Sequence, residues 1–338
     1  MRVPVFSLAL GAVAVAAAVA LPFVVDMFSL LSMTVYLIMA LLALSLAFVW
    51  GHGGILCFGQ AAFFGLGAYA WAVGAFNFGP GLGALALAVA VPAACAALLG
   101  YFMFYGKISD VYLGVITLAV TLILFNLMNS TSGDSYRIGE ALLGGFNGIP
   151  SIPPLTLPGA AEPLSPEGTF TLAALVLIAA YFGLRAVMAS RFGRVVAAVR
   201  ENEQRAMLLG YNASFYKLAA FTLGGALAGL AGMLYANWGA FVSPGVFGLA
   251  QSAQIIIWVI VGGRGTLIGP IVACVALQAM VTRLGAQHTV DTGLVLGVIL
   301  ILFVLLIPRG LAPTIADAAR RLWRSSSRSA TPAVKEQA

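Results

Sequence analysis

Apolar runs of about twenty residues follow one another along most of the chain, separated by short polar or glycine-rich breaks. A helix of that length rises about 30 Å, the thickness of the hydrocarbon layer of a bilayer. The pattern therefore predicts about ten membrane spans, near residues 5–25, 28–50, 60–78, 82–104, 111–129, 169–188, 217–237, 251–263, 267–284 and 292–308. The stretch 251–284 is interrupted by Gly262, Gly263, Arg264 and Gly265, which allows either two spans or one discontinuous span. The first run begins after Arg2 and passes Ala18, Val19 and Ala20, a cleavage-like sequence. Its length favours a retained first helix over a signal peptide. The expected fold class is all-α, a polytopic transmembrane helical bundle over residues 1–308, followed by a polar, basic tail over 309–338.

Polar positions cluster in three places. The stretch 190–217 holds Arg191, Arg194, Arg200, Glu201, Glu203, Arg205 and Lys217 between long apolar runs. Its pattern predicts one helix over 194–209 ended by Gly210, with Arg194, Glu201 and Arg205 on the polar face. Val195, Val199, Ala206 and Leu209 form the apolar side. Such a helix either lies on the membrane surface or docks into a groove on a soluble partner. The segment 130–168, with Asp134, Glu140, Glu162, Glu167 and several prolines, reads as an ordered loop or a short re-entrant element. The tail carries a basic amphipathic stretch at 317–324, expected to anchor at the membrane surface, before a polar end expected to be disordered.

Composition supports this reading. The chain is 62% hydrophobic and 8% charged, with mean hydropathy +1.03, whereas soluble domains carry about 25% charged residues. With ten spans and a cytoplasmic N-terminus, fifteen of the 17 Lys and Arg fall on the cytoplasmic side, and Arg137 and Arg283 fall outside. That bias places both termini and the 190–217 segment in the cytoplasm and 130–168 on the external side. The net charge of +6 resides in loops and tail, with no soluble basic domain for nucleic acid. Cys57, Cys95 and Cys274 lie in apolar stretches without metal-ligand spacing and read as small buried side chains.

Gly224, Ala228 and Gly232 fall on one helix face, and Gly225 and Gly229 form a GxxxG pair; such spacing lets helix backbones approach closely. The run 51–69 opens with glycines and continues through Gln60, Gly65, Gly67 and Tyr69. Irregular backbone there serves either tight packing or a translocation path. His52 reads as an interfacial residue. Asn126, Asn129, Asn237, Gln251 and Gln254 are polar groups within or beside spans. They either hydrogen-bond between helices or line a path for a small polar solute. The candidate path residues are Gln60, Gly65, Tyr69, Asn126, Asn237 and Gln254.

No Asp, Glu, Lys or Arg lies in the interior of the first five spans, which disfavours ion- or proton-coupled transport. Gly100, Gly106, Lys107 and Ile108 do not make a phosphate-binding loop, because the intervening residues are bulky and no Ser or Thr follows the lysine. No HExxH or GxSxG sequence suggests an intramembrane enzyme. A pump of this composition takes its energy from another polypeptide. A passive channel for urea or another small neutral solute also needs no membrane charge, and a purely structural membrane anchor is a weaker third reading.

The blocks GILCFGQAAFFGLGAY (54–69), RFGRVVAAVRENEQRAMLLGYNASFYKLAAFTLGGALAGLAGMLYA (191–236) and IIIWVIVGGRGTLIGPIVA (255–273) resemble the membrane permease subunits of ATP-binding-cassette importers for branched-chain amino acids. VYLGVITLAVTLIL (111–124) and GGFNGIP (144–150) fit the same family, whose urea and short-amide branch shares these blocks. The resemblance implies the ABC importer permease fold in the inner membrane. It implies no cofactor in this chain, with ATP and Mg bound by two ATPase subunits. A second homologous permease subunit, a periplasmic solute-binding protein and the lipid bilayer complete the implied partners; nucleic acid is not among them. By position it assigns Arg200, Glu201, Asn202, Arg205, Ala206 and Gly210 to a coupling helix, within a coupling loop over 190–216, that seats in the ATPase subunit.

Overall fold

A computed structural model of the chain describes residues 5–285, apart from 134, 157, 158, 160 and 161, together with 297 and 298. The span expected at 292–308 and the tail at 309–338 lie outside the described residues, as does Arg2. Every other predicted span coincides with a helix. In chain order these are α1 (Val5–Ala20), α2 (Met27–Leu46), α3 (Gln60–Phe78), α4 (Leu82–Tyr105), α5 (Asp110–Ser130) and α6 (Pro166–Ala189). There follow α7 (Arg191–Glu201), α8 (Glu203–Leu208), α9 (Ala213–Gly239), α10 (Leu249–Gly262) and α11 (Ile268–Gly285). Six helices among the described residues are long and apolar enough to cross a membrane; α10 and α11 are shorter.

Several starts are set by capping side chains that accept an otherwise unpaired helical N–H. Asp26 caps α2 through Ser29 N, Ser165 caps α6 ahead of Pro166, Ser190 caps α7 and Asn212 caps α9. α2 does not end as a regular helix. Its last turn is a π-helix over Ala47–His52, in which Gly53 N–H reaches back to Phe48 O at 2.9 Å.

The core is α3, α4 and α9 packed together, with α2 against α9. Buried residues fill 72% of the most apolar window of α3 and 56% of that of α9, but 22% of those of α4 and α5, so α3 and α9 are the inner helices and α4 packs on them with one face. Glycines decide how closely the core helices approach. A Cβ on Gly229 would overlap Pro92 of α4, and one on Gly225 would press on Ala96. Towards α3, a Cβ on Gly232 would overlap the Phe64 carbonyl, and towards the end of α2 one on Gly224 would overlap Val49. The glycines of α9 thus let it pack closely against α4, α3 and the end of α2. Pro92, which leaves one α4 carbonyl without its helical donor, is buried in this contact.

At one end of the bundle lies the segment between α5 and α6. A short antiparallel pair, β1 (Arg137–Ile138) and β2 (Ala141–Leu142), sits over the end of α3. Asn77 holds it there, donating to Ile138 O and accepting from Glu140 N. Ile149 and Val242 exchange backbone hydrogen bonds of 2.8 and 3.1 Å, and Ile152 N–H donates to Ala240 O.

Candidate translocation path and coupling segment

Helical rise fixes the depth at which irregular backbone occurs. Gln60, the first residue of α3, donates from Nε2 to Ser45 Oγ at 2.8 Å and to Gly224 O at 3.1 Å. Gly224 lies eleven residues beyond Ala213, the start of α9, or about 16 Å along that helix. The chain therefore reaches one end of the bundle through the π-helix and returns without helical structure over 53–59, before α3 begins well inside. Thr117 of α5 supports this return, its Oγ1 accepting from Phe58 N at 3.1 Å.

A second irregular segment enters from the opposite end. After α9 the chain runs over 240–248 with a 3-10 turn at Pro244–Phe247, and only then begins α10. Phe247 is fully buried, seated where a Cβ on Gly65 would collide with it, and its ring centroid lies 5.6 Å from that of Tyr69. Gln251 Nε2 lies 3.7 Å from Met39 Sδ, twelve residues into α2. α10 thus starts at mid-depth, and its 14 residues span about 21 Å. The discontinuity expected at 262–265 is real as a break between two helices, but the deeper irregularity precedes α10.

Backbone without helical bonding is tolerated at this depth only when protein or a polar cavity surrounds it. The first segment packs on α5 through Thr117, and the Pro244–Phe247 turn forms a junction with α3 and α5. Buried polar atoms without a protein partner lie on the surrounding helices: Tyr69 Oη and Trp71 Nε1 on α3, Asn237 Nδ2 and Trp238 Nε1 on α9, and Ser252 Oγ on α10.

The sequence-predicted path residues divide accordingly. Gly65 and Tyr69 are brought together at Phe247. Gln60 staples α3 to α2 and α9 with both amide hydrogens in use. Asn237 accepts from Leu155 N at 2.6 Å and so ties α9 to the overlying segment. Gln254 is half-buried on α10. Asn126 is exposed on α5, bonded back to Leu122 O, and is not brought to the junction. Phe247 and Ser252 were not singled out by the sequence: Phe247 sits among apolar and glycine residues, whereas for Ser252 the adjacent Gln251 and Gln254 were the available signal.

The 190–217 segment differs from the single helix expected over 194–209. Asn202 is extended (φ −159°, ψ 102°), ending α7 and capping α8 through Arg205 N at 2.9 Å. Asparagine is a strong N-cap because its side chain replaces the missing helical acceptor; Asn202 followed by Glu203 was the available signal. Leu209 also departs from expectation, being 76% exposed beside Leu208 at 87%, with Met207 and Tyr211 exposed too. Val195, Val199 and Ala206 do pack inward, against Ala213 and Tyr216. Gly210 closes the segment at φ 87°, a left-handed conformation with open space around its Cα.

Of the residues assigned to coupling, Glu201 and Arg205 face outward, Ala206 is buried, and Arg200 is exposed but donates from Nη1 to Gly51 O of the bundle. The segment is also tied to α9 by Lys217 Nζ, 2.6 Å from Glu203 Oε2. An open groove of about 580 Å³ beside it is lined by Arg191, Arg194, Val195, Ala198, Tyr211 and Tyr216.

These features define a polytopic helical membrane protein with broken helices at mid-depth and an amphipathic loop projecting from one end. Residues 27–306 match the family model of the permease component of branched-chain amino acid transport systems, and the chain belongs to that family. It is 33% identical over 323 residues to the high-affinity branched-chain amino acid transport system permease protein LivM of Salmonella typhimurium, covering 88% of this chain and 72% of the relative. LivM of Escherichia coli is 32% identical over the same shares. No solved structure matches the chain.

Proposed function

We propose that this chain is a permease subunit of an ATP-binding-cassette importer that moves branched-chain amino acids across the inner membrane. Family membership and the names of its relatives support the solute class over urea or short amides. The observation that carries the coupling role is the α7–α8 segment. It presents exposed Met207, Leu208 and Leu209 beside Glu201 and Arg205, while its other face is fastened to α9. An apolar knob ringed by charge, on a chain with no phosphate-binding loop, is suited to a soluble partner that supplies the energy.

In this reading the chain has ten spans and both termini in the cytoplasm, following its positive-residue distribution. Two ATPase subunits, a second permease subunit and a periplasmic solute-binding protein complete the importer. ATP-driven closure of the ATPases moves α7 and α8, and the broken helices shift between outward- and inward-open arrangements. The junction around Tyr69, Phe247 and Ser252 borders the path, with Gly65 leaving room for Phe247.

Uptake of labelled leucine and of labelled urea by proteoliposomes containing the complete importer and its binding protein tests the assignment. ATP-dependent leucine accumulation without urea accumulation is expected. Downhill flux through this chain alone, indifferent to ATP, contradicts it and favours a passive channel.

A further inference from the structure

Arg200 is grouped by sequence with the partner-facing residues of the coupling segment, and its side chain is 41% exposed with Nη2 3.7 Å from Glu201 Oε1, yet the other end of its guanidinium is anchored on the bundle. Nη1 donates to Gly51 O at 2.6 Å, and Gly51 belongs to the π-helix at the end of α2. The aliphatic stem of Arg200 covers Gly54, which is left-handed at φ 71°; a Cβ there would lie 2.8 Å from Arg200 Cγ. The far side of the same turn is occupied by the break between α10 and α11. A Cβ on Gly51 would overlap the Arg264 carbonyl oxygen, and the Arg264 guanidinium lies 5.0 Å from the centre of the Trp50 ring. The π-turn is thus gripped between α7 and the α10–α11 connection.

What leaves this turn is the non-helical return 53–59, which delivers the chain to Gln60 and hence to Gly65 and Tyr69. π-turns break the regular helical ladder and recur at functional sites. A charged donor on the Gly51 carbonyl gives α7 a direct hold on that irregular backbone.

We propose that Arg200 is a positioning residue, a latch that transmits movement of α7 to the π-turn and so to the start of α3, rather than a contact to the ATPase. This rests on the coupling role proposed above. The latch predicts that the importer assembles and hydrolyses ATP without Arg200 but no longer links hydrolysis to transport.

The test uses the complete importer. Arg200→Met keeps the aliphatic cover over Gly54 and removes the donor. It is expected to retain ATPase subunits and ATP hydrolysis while uptake falls about tenfold, the scale of losing one charged hydrogen bond. Hydrogen exchange in peptides covering 47–55 should quicken in this variant, and the change in their exchange on adding ATP should disappear. Arg200→Lys, which restores a donor, should recover part of the uptake. Loss of the ATPase subunits from Arg200→Met, or unchanged uptake with unchanged exchange, overturns the latch. Gly54→Ala disturbs the contact from its other side with every charge in place. Normal uptake in that variant also overturns the proposal, even if Arg200→Met does not assemble. Glu201→Arg and Arg205→Glu separate the two layers of argument. If neither weakens ATPase association, the coupling reading itself fails. If both do while Arg200→Met transports normally, the latch alone fails.

Discussion

Gly232 and Gln60 show what a single residue contributes in this bundle. A side chain on Gly232 meets the Phe64 carbonyl, which is backbone and cannot rotate away. Gln60 contributes two hydrogen bonds, but such bonds between membrane helices average only about 0.6 kcal/mol each. Overpacking of a well-filled core costs about 1–3 kcal/mol, and more where backbone must shift. Gly232→Val is therefore expected to lower the melting temperature in detergent further than Gln60→Leu; the reverse order contradicts the packing account. At Gly210 the cost is conformational, because the space around it is open while φ is 87°. A left-handed β-branched residue costs on the order of 1–2 kcal/mol, so Gly210→Val should slow ATP-driven uptake by roughly tenfold, and Gly210→Asn much less. Equal rates in the three proteins, measured in proteoliposomes, contradict a left-handed turn there.

At the scale of elements, apolar run length located the spans among the described residues because twenty apolar residues have few alternatives to crossing a membrane. The same signal is blind to irregular backbone inside the membrane. Residues 240–248 are uncharged and largely apolar, as a span would be, and only their pairing with Ile149 and the burial of Phe247 reveal a descending segment. Likewise the π-helix over Ala47–His52 looks like the end of an ordinary apolar helix. The 190–217 segment was legible as a charged, amphipathic island, and Gly210 as its end. Its division at Asn202 was hidden because helical periodicity runs through the capping residue. Glu201→Arg or Arg205→Glu should weaken co-purification of the ATPase subunits by about tenfold, since both residues face outward at this division. Unchanged co-purification in both contradicts docking through this face.

Across the whole molecule, two irregular segments enter from opposite ends against α3 and α5, with Phe247 of the second packed on Tyr69, and the π-turn at one end is bonded to Arg200 of the 190–217 segment. Half-depth helices of this kind supply places where backbone conformation can change without breaking the surrounding bundle. The core of α3, α4 and α9 is held by glycine contacts that tolerate little separation, so motion is expected to concentrate in α10, α11 and the two returns. In the proposed function this chain conducts branched-chain amino acids only when another subunit hydrolyses ATP. The most direct test is labelled-leucine accumulation in proteoliposomes containing this chain alone or the complete importer with binding protein, each with and without ATP. Accumulation is expected in the complete importer with ATP and in no other condition. Leucine accumulation by the isolated chain, or by the complete importer without ATP, contradicts the proposed function.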